Sequence, residues 1–185
     1  MEKIPSPSST ESAPKEATAT VLENMSEEDV QGIIAIDREI FPTMPVEEEE
    51  IRETLLSKGV QVVLKTRNGN LAGYIISLPH DEALEMLADI DTELVEVENG
   101  LYIESIGILP ECRSTKNLSE LWGAFSTRAR EKGFKTITAH VRVSEGLSSV
   151  FQKRMGAVKH RTIENWADFD EPFDYLEFRL DSKGE

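Results

Sequence analysis

A chain of 185 residues fits one domain of ordinary size, about 100–200 residues. Its 39% hydrophobic and 30% charged residues are the balance of a soluble globular protein. Only 20 Lys and Arg stand against 35 Asp and Glu, a net charge of -15. That balance argues against nucleic-acid and anionic-membrane partners, both of which need surplus cations, and suits a cationic ligand. No apolar run approaches the roughly 18–20 residues of a membrane span, and no basic-then-apolar leader opens the chain. One cysteine, Cys112, excludes an internal disulfide and a thiolate zinc cluster. The expectation is a cytoplasmic, metal-free protein.

Residues 1–18 are rich in Pro, Ser, Thr, Ala and Glu. Too little apolar area is present to offset ordering entropy, so a disordered tail is expected, with the folded domain over 19–182. Residues 20–24 read as a short strand. Ser26 and Asp29 form a capping-box pattern ahead of Val30, Ile33, Ile34, Ile40 and Phe41 at helical spacing. Pro42 and Pro45 stop that helix. Glu47–Glu50 load the first turn of the next, whose buried face is expected at Ile51, Leu55 and Leu56, with Gly59 as the stop.

Two β-rich runs, 60–65 and 71–78, flank Asn68-Gly69, a hairpin signal. Residues 80–99 read as an insertion, helical over 81–89. A strand at 101–109 ends at Pro110. Leu118, Leu121, Trp122, Phe125 and Ala129 make an amphipathic helix closing at Gly133. A strand (135–143), a short helix (147–155) and two strands (157–163 and 173–180) complete the chain. The order is β-α-α-β-β-β-α-β-α-β-β.

Charge is sorted along this order. Between Arg113 and Arg161, 11 basic residues face three acids, a net of +8. The insertion 80–99 holds eight carboxylates and no Lys or Arg. Such a dipolar layout points to an anionic ligand near one region and a cationic one near the other, or to solvated faces of differing sign. Asp89-x-Asp91-x-Glu93 has calcium-loop spacing but Leu94 where such a loop needs Gly.

The stretch 101–122 carries most chemical information. A strand runs through Pro110 and Arg113 into a polar turn and then a helix. Backbone N–H groups and the dipole at that helix start form an anion site, with Arg113 and Lys116 adding charge. Pro110-Glu111-Cys112-Arg113 resembles the Pro-x-x-Arg segment of the GCN5-related N-acetyltransferase (GNAT) superfamily. The order of elements over roughly 20–180 and the QKRMGA segment (152–157) are similar to that family too.

The resemblance implies a single α/β (α+β) domain, a mixed and mostly antiparallel sheet with helices on both faces. It implies acetyl-CoA as co-substrate, held by the backbone of Ile106 and Ile108 and by the turn Arg113, Ser114, Thr115, Lys116, Asn117 and Leu118. Lys116 and Leu118 stand where the family places glycines. Gly107 fits a β-bulge or a tight packing contact.

Glu104, six residues before Pro110, is where amine-acetylating members carry a general base. Such a base is needed because an amine is protonated at pH 7 and attacks only once deprotonated. Gln152 falls where many members place a proton-donating Tyr, and Gln is no acid; Ser148 and Ser149 are nearby hydroxyls, and water is the other source of that proton. Trp166, Phe169 and Phe173 line an acceptor pocket or pack in the core. Cys112 beside Arg113 is a reactive thiol or a core residue. The implied activity is acetyl transfer to a primary amine of a cationic acceptor. Two other readings fit the residues: a non-catalytic interaction module, or an acidic mimic of nucleic acid.

Overall fold

The computed structural model describes residues 13–43, 45–144, 146–166 and 170–180. Residues 1–12, most of the expected tail, lie outside them, as does Phe169.

The elements are β1 (Ala17–Val21), α1 (Glu27–Ile40), α2 (Glu48–Leu56), β2 (Val62–Thr66), β3 (Leu71–Pro79), α3 (His80–Leu87), β4 (Gly100–Ile108), α4 (Thr115–Glu131), β5 (Thr136–Arg142), α5 (Leu147–Met155), β6 (Val158–Ile163) and β7 (Phe173–Arg179). A single 3-10 turn, Pro110–Cys112, precedes α4. One seven-stranded sheet runs β1-β2-β3-β4-β5-β7-β6. Every pairing is antiparallel except the central β4–β5, which is parallel. The mixed, mostly antiparallel α/β fold is the expected one.

Strand alternation distributes side chains to two faces. Val62 and Leu64 join a core with Leu121, Phe125 and Ala129 of α4 and Phe151 of α5. Val63, Tyr74 and Ile76 meet Ile33 and Ile34 of α1 and Ile51 of α2 on the opposite face. A third cluster places Ala83 and Leu87 of α3 against Tyr102, Trp166 and Phe173.

Local signals explain the helix ends. Ser26 accepts from the Asp29 N–H while the Asp29 carboxylate accepts from Ser26, a complete capping box. Gly133, at φ 89°, closes α4 in the left-handed region that only Gly enters freely.

Three expectations change. Leu56 is 87% exposed, and Thr54 takes the buried place beside Ile51 and Leu55. Helix α2 ends at Ser57, not Gly59. A Cβ on Gly59 would stand 1.9 Å from the Ser77 carbonyl oxygen, so that glycine serves a close backbone approach.

The first strand begins at Ala17, inside the segment read as tail. Ala17, Ala19 and Val21 pack against the α4 core, and the Asn117 side chain ties them down. Its amide donates to the Lys15 carbonyl (2.8 Å) and its oxygen accepts from the Ala17 N–H (3.2 Å). Small Ala and Thr side chains gave little hydrophobic signal for this edge.

Candidate active site

The site is built where the central pair of strands separates. Pairing of β4 with β5 runs from Gly100↔Thr136 to Ile103↔Ala139 and goes no further. On its other side β4 stays paired with β3 as far as Ile108. One edge of residues 104–108 is therefore left without a strand partner.

A bulge marks the start of this opening. In the β3–β4 ladder, Ile76 faces Ser105 and the next residue, Ser77, faces Ile103, so Glu104 is the extra, unpaired residue. Bulges bend a strand and re-aim a side chain, and they recur beside active sites. Gly107 is regularly paired with Tyr74. A Cβ there would meet Ile40 Cδ1 at 2.7 Å, so its role is packing against α1.

Glu104 lines a cavity of about 200 Å3. Its Oε2 atom is buried and accepts no hydrogen bond. Burial is the main force that pushes its carboxyl up to about 7. The Thr54 hydroxyl opposes the rise, and the carboxylates of Glu50, Asp37 and Glu53 add to it. A carboxylate with a free acceptor atom and an affinity for protons near neutrality is suited to take a proton from an amine.

Beneath it, Asp37 is fully buried, and burial raises its carboxyl above the usual range. It accepts from Tyr74 Oη at 2.5 Å and from the Val46 N–H at 2.8 Å. The second bond fixes the α1–α2 connection, which supplies Phe41 and Val46 to the cavity wall.

The cavity also holds residues that the sequence reading did not assign. His140 Nε2 lies 3.0 Å from Asp91 Oδ2, and its Nδ1 lies 3.0 Å from Tyr102 Oη. Arg161 bonds the same Asp91 oxygen. Burial holds His140 at about 4, with Asp91 pulling the other way, so the ring is neutral at pH 7. A carboxylate only accepts, so Nε2 carries the proton and Nδ1 accepts the Tyr102 O–H. Trp166 stacks on the ring at 3.9 Å. Tyr102 stands two residues before Glu104 on one strand, a clue visible in the sequence. The long-range link from the insertion through Asp91 was not visible.

A second, larger groove of about 1010 Å3 meets this cavity at Phe41, Ile106 and Leu147. Ile106, Ile108, Arg113, Ser114, Thr115 and Leu118 line it, together with Arg130, Arg154 and Arg179. Lys116 and Asn117 do not line it. Lys116 reaches Glu16 at 2.6 Å, and Asn117 is buried as the clamp on the first strand. Arg113 Nε donates to the Ile108 carbonyl (3.0 Å), and Arg154 donates to Thr115 Oγ1 (3.0 Å). At the α4 start, the N–H groups of Asn117 and Leu118 bond Ser114 Oγ and the Ser114 carbonyl. Those of Thr115 and Lys116 have no intrahelical acceptor. An open strand edge, a helix start and four guanidinium groups fit a long ligand with an anionic end.

The remaining candidates are structural. Cys112 is 1% exposed in the main core, and burial raises its thiol. Ser148 is buried and donates to Asp174 Oδ2 (2.5 Å), while Gln152 donates to Ser148 Oγ (3.0 Å). Among the described residues, no group of three or more His, Cys, Asp or Glu is placed to hold a metal ion, and no helix is long and apolar enough to cross a membrane.

Three solved structures share this architecture. The ribosomal-protein-S18-alanine N-acetyltransferase of Escherichia coli is 15% identical, with TM-score 0.67, covering 91% of this chain and 97% of that one. Ard1 of Thermoplasma volcanium is 15% identical at TM-score 0.68, covering 88% and 97%. An aminoglycoside 6'-N-acetyltransferase complexed with coenzyme A is 11% identical at TM-score 0.66, covering 90% and 99%. At such identities the likeness is one of fold. Comparison with curated protein sequences gave no match. The sequence profile of the acetyltransferase (GNAT) family matches residues 30–157, more than half of the chain, around the strand opening, the bulge and the arginine-lined groove. This chain belongs to the acetyltransferase (GNAT) family.

Proposed function

We propose that the protein is an N-acetyltransferase that moves an acetyl group from acetyl-CoA to a primary amine by direct attack. The observation that carries this reading is Glu104: bulged out of the ladder, with one carboxylate oxygen unpartnered and a proton affinity near neutrality. Acetyl-CoA, if held in the larger groove, would supply an activated acyl carbon and a thiolate leaving group. The groove residues that would hold it are Arg113, Arg154, Ser114 and Thr115, with the open backbone edge at Ile106 and Ile108.

Glu104 receives the ammonium group of the acceptor and takes its proton. The freed nitrogen forms the new C–N bond as the C–S bond breaks, and the second proton that it then sheds passes through water to the departing thiolate. Gln152, tied to Ser148, donates no proton, and a thiol of ordinary pKa ~8.5 leaves readily and is protonated from water. The exposed carboxylates of Glu82, Glu85 and Asp89 give the acceptor side an acidic field that concentrates cations. The free thiol of Cys112 fits the reducing cytoplasm as the setting.

The test is thiol release from acetyl-CoA in the presence of primary amines, with the acetylated product identified by mass. Thiol release and product that both depend on an amine support the reading. Binding of acetyl-CoA with no transfer to any amine would leave the non-catalytic module as the better account.

A further inference from the structure

We infer that the acceptor carries a single amine on an apolar body that fills the Glu104 cavity, and that the site discriminates against di- and polyamines. The inference rests on the acetyl-transfer reading of the same site and names its substrate class.

The cavity wall is apolar and aromatic, with Phe41, Val46, Trp166 and Phe173 among its lining. At about 200 Å3 it exceeds the roughly 150 Å3 that holds a benzene ring in an apolar protein cavity. A body of six to eight heavy atoms is therefore of the right order. What decides the class is how few polar atoms are available inside.

Two charged side chains line the cavity among the described residues, Glu104 and Arg142. Glu104 Oε2 is unpartnered and matches one ammonium group. His140 is neutral, and both of its ring nitrogens are engaged, one with Asp91 and the other with Tyr102. The Asp91 carboxylate is occupied by His140 and Arg161. Among the described residues, no second anion remains inside for a second ammonium.

Aromatic faces bind cations in other proteins, but here they already have partners. The Arg142 guanidinium lies 5.9 Å from the Phe41 ring centre and 5.6 Å from that of Phe173, and it pairs with Glu171 at 3.0 Å. Trp166 stacks on His140. A second ammonium in this cavity would meet a like charge and walls that cannot solvate it. Burying an unpaired charge is costly, so a diamine enters only by shedding a proton it strongly retains at neutral pH. An apolar end of the same length gains from burial instead.

The acidic insertion does not oppose this. Glu82, Glu85 and Asp89 are exposed on and just beyond α3, where they attract any cation, monoamine or polyamine alike. Discrimination is local to the cavity.

The test compares two acceptors of one shape, pentylamine and putrescine, which differ in a methyl against a second ammonium. With saturating acetyl-CoA, kcat/KM for pentylamine is expected to exceed that for putrescine by at least about tenfold, since the second charge lacks a partner. Putrescine acetylated as well as or better than pentylamine would overturn the inference and leave acetyl transfer standing. Transfer to neither, with acetyl-CoA bound, would overturn the inference, and the transfer reading would fall with it only if no other primary amine were acetylated.

A second variant guards against coincidence. Val46 is half-buried on the cavity wall and its link to Asp37 uses the backbone N–H, so Val46→Asp adds an anion without cutting that bond. The pentylamine preference is expected to shrink at least about threefold, a modest share of a close charge pair. An undiminished preference in the folded variant would also count against the assignment.

Discussion

The two spaces that meet at Ile106 are made from one strand opening and have opposite chemistry. The larger groove has four arginines among its lining residues and is suited to a polyanion. The smaller cavity is aromatic, with one carboxylate whose proton affinity is raised by burial. Charge in the groove is exposed and numerous, so each cation contributes modestly and salt screens it. The one carboxylate lining the cavity among the described residues is poorly solvated, so its proton affinity is altered. The groove thus offers many solvated cations and the cavity one desolvated anion.

The sharpest way to break this contrast is Glu104→Gln. General-base help is worth typically 10²–10⁴-fold, so kcat is expected to fall at least about tenfold, with acetyl-CoA affinity unchanged. The acidic limb of the kcat/KM profile, centred near pH 7 in the wild type, should disappear. An unchanged rate and profile would dissolve the distinction between the two spaces.

Next in size is the groove. Arg113→Ala and Arg154→Ala are each expected to weaken acetyl-CoA binding about tenfold at low salt, the scale of a charge-assisted hydrogen bond. Calorimetry at two ionic strengths checks it, with kcat at saturation preserved. Lys116→Glu, whose side chain is not in the groove lining and pairs with Glu16, should weaken binding less than either.

A smaller effect concerns stability. A carboxyl raised in the folded state contributes stability below its ordinary value and loses it as pH rises through about 7. Glu104→Gln removes that loss. Since the group is half-buried, the relief is about 1–3 kcal/mol, or ~2–12 °C in Tm at pH 8, and close to nothing at pH 4. Thermal melts at the two pH values measure the difference.

The smallest effect belongs to the insertion. Neutralising Glu82, Glu85 and Asp89 together should raise the acceptor KM about two- to threefold at low salt and leave that for acetyl-CoA alone, because exposed charges steer weakly.

Much of this was legible from local pattern. Helical spacing in Val30, Ile33 and Ile34, the Ser26–Asp29 cap and the Asn68-Gly69 turn are short-range signals, and their elements formed. Pro110 through Arg113 located the turn ahead of α4. The bulge at Glu104 was not legible, because it depends on which residues of β3 lie opposite. Nor was the Asp91–His140–Tyr102 chain, assembled from residues 91, 140 and 102 on three segments. Lys116 and Asn117 look in sequence like further ligands of the turn, yet the segment entering β1, residues 15–17, takes both side chains.

The bulge has a consequence at the level of the coding frame. Glu104 is surplus to the β3–β4 ladder, two residues opposite one. Removing that single codon leaves Ile103 and Ser105 facing Ser77 and Ile76 in an unbroken register, with every other residue on its original face. Most single-residue deletions inside a central strand invert half the core. This one takes away the reactive carboxylate and the kink together, and keeps the ladder. The expected product is a folded chain that lacks this carboxylate and differs from the original by one residue.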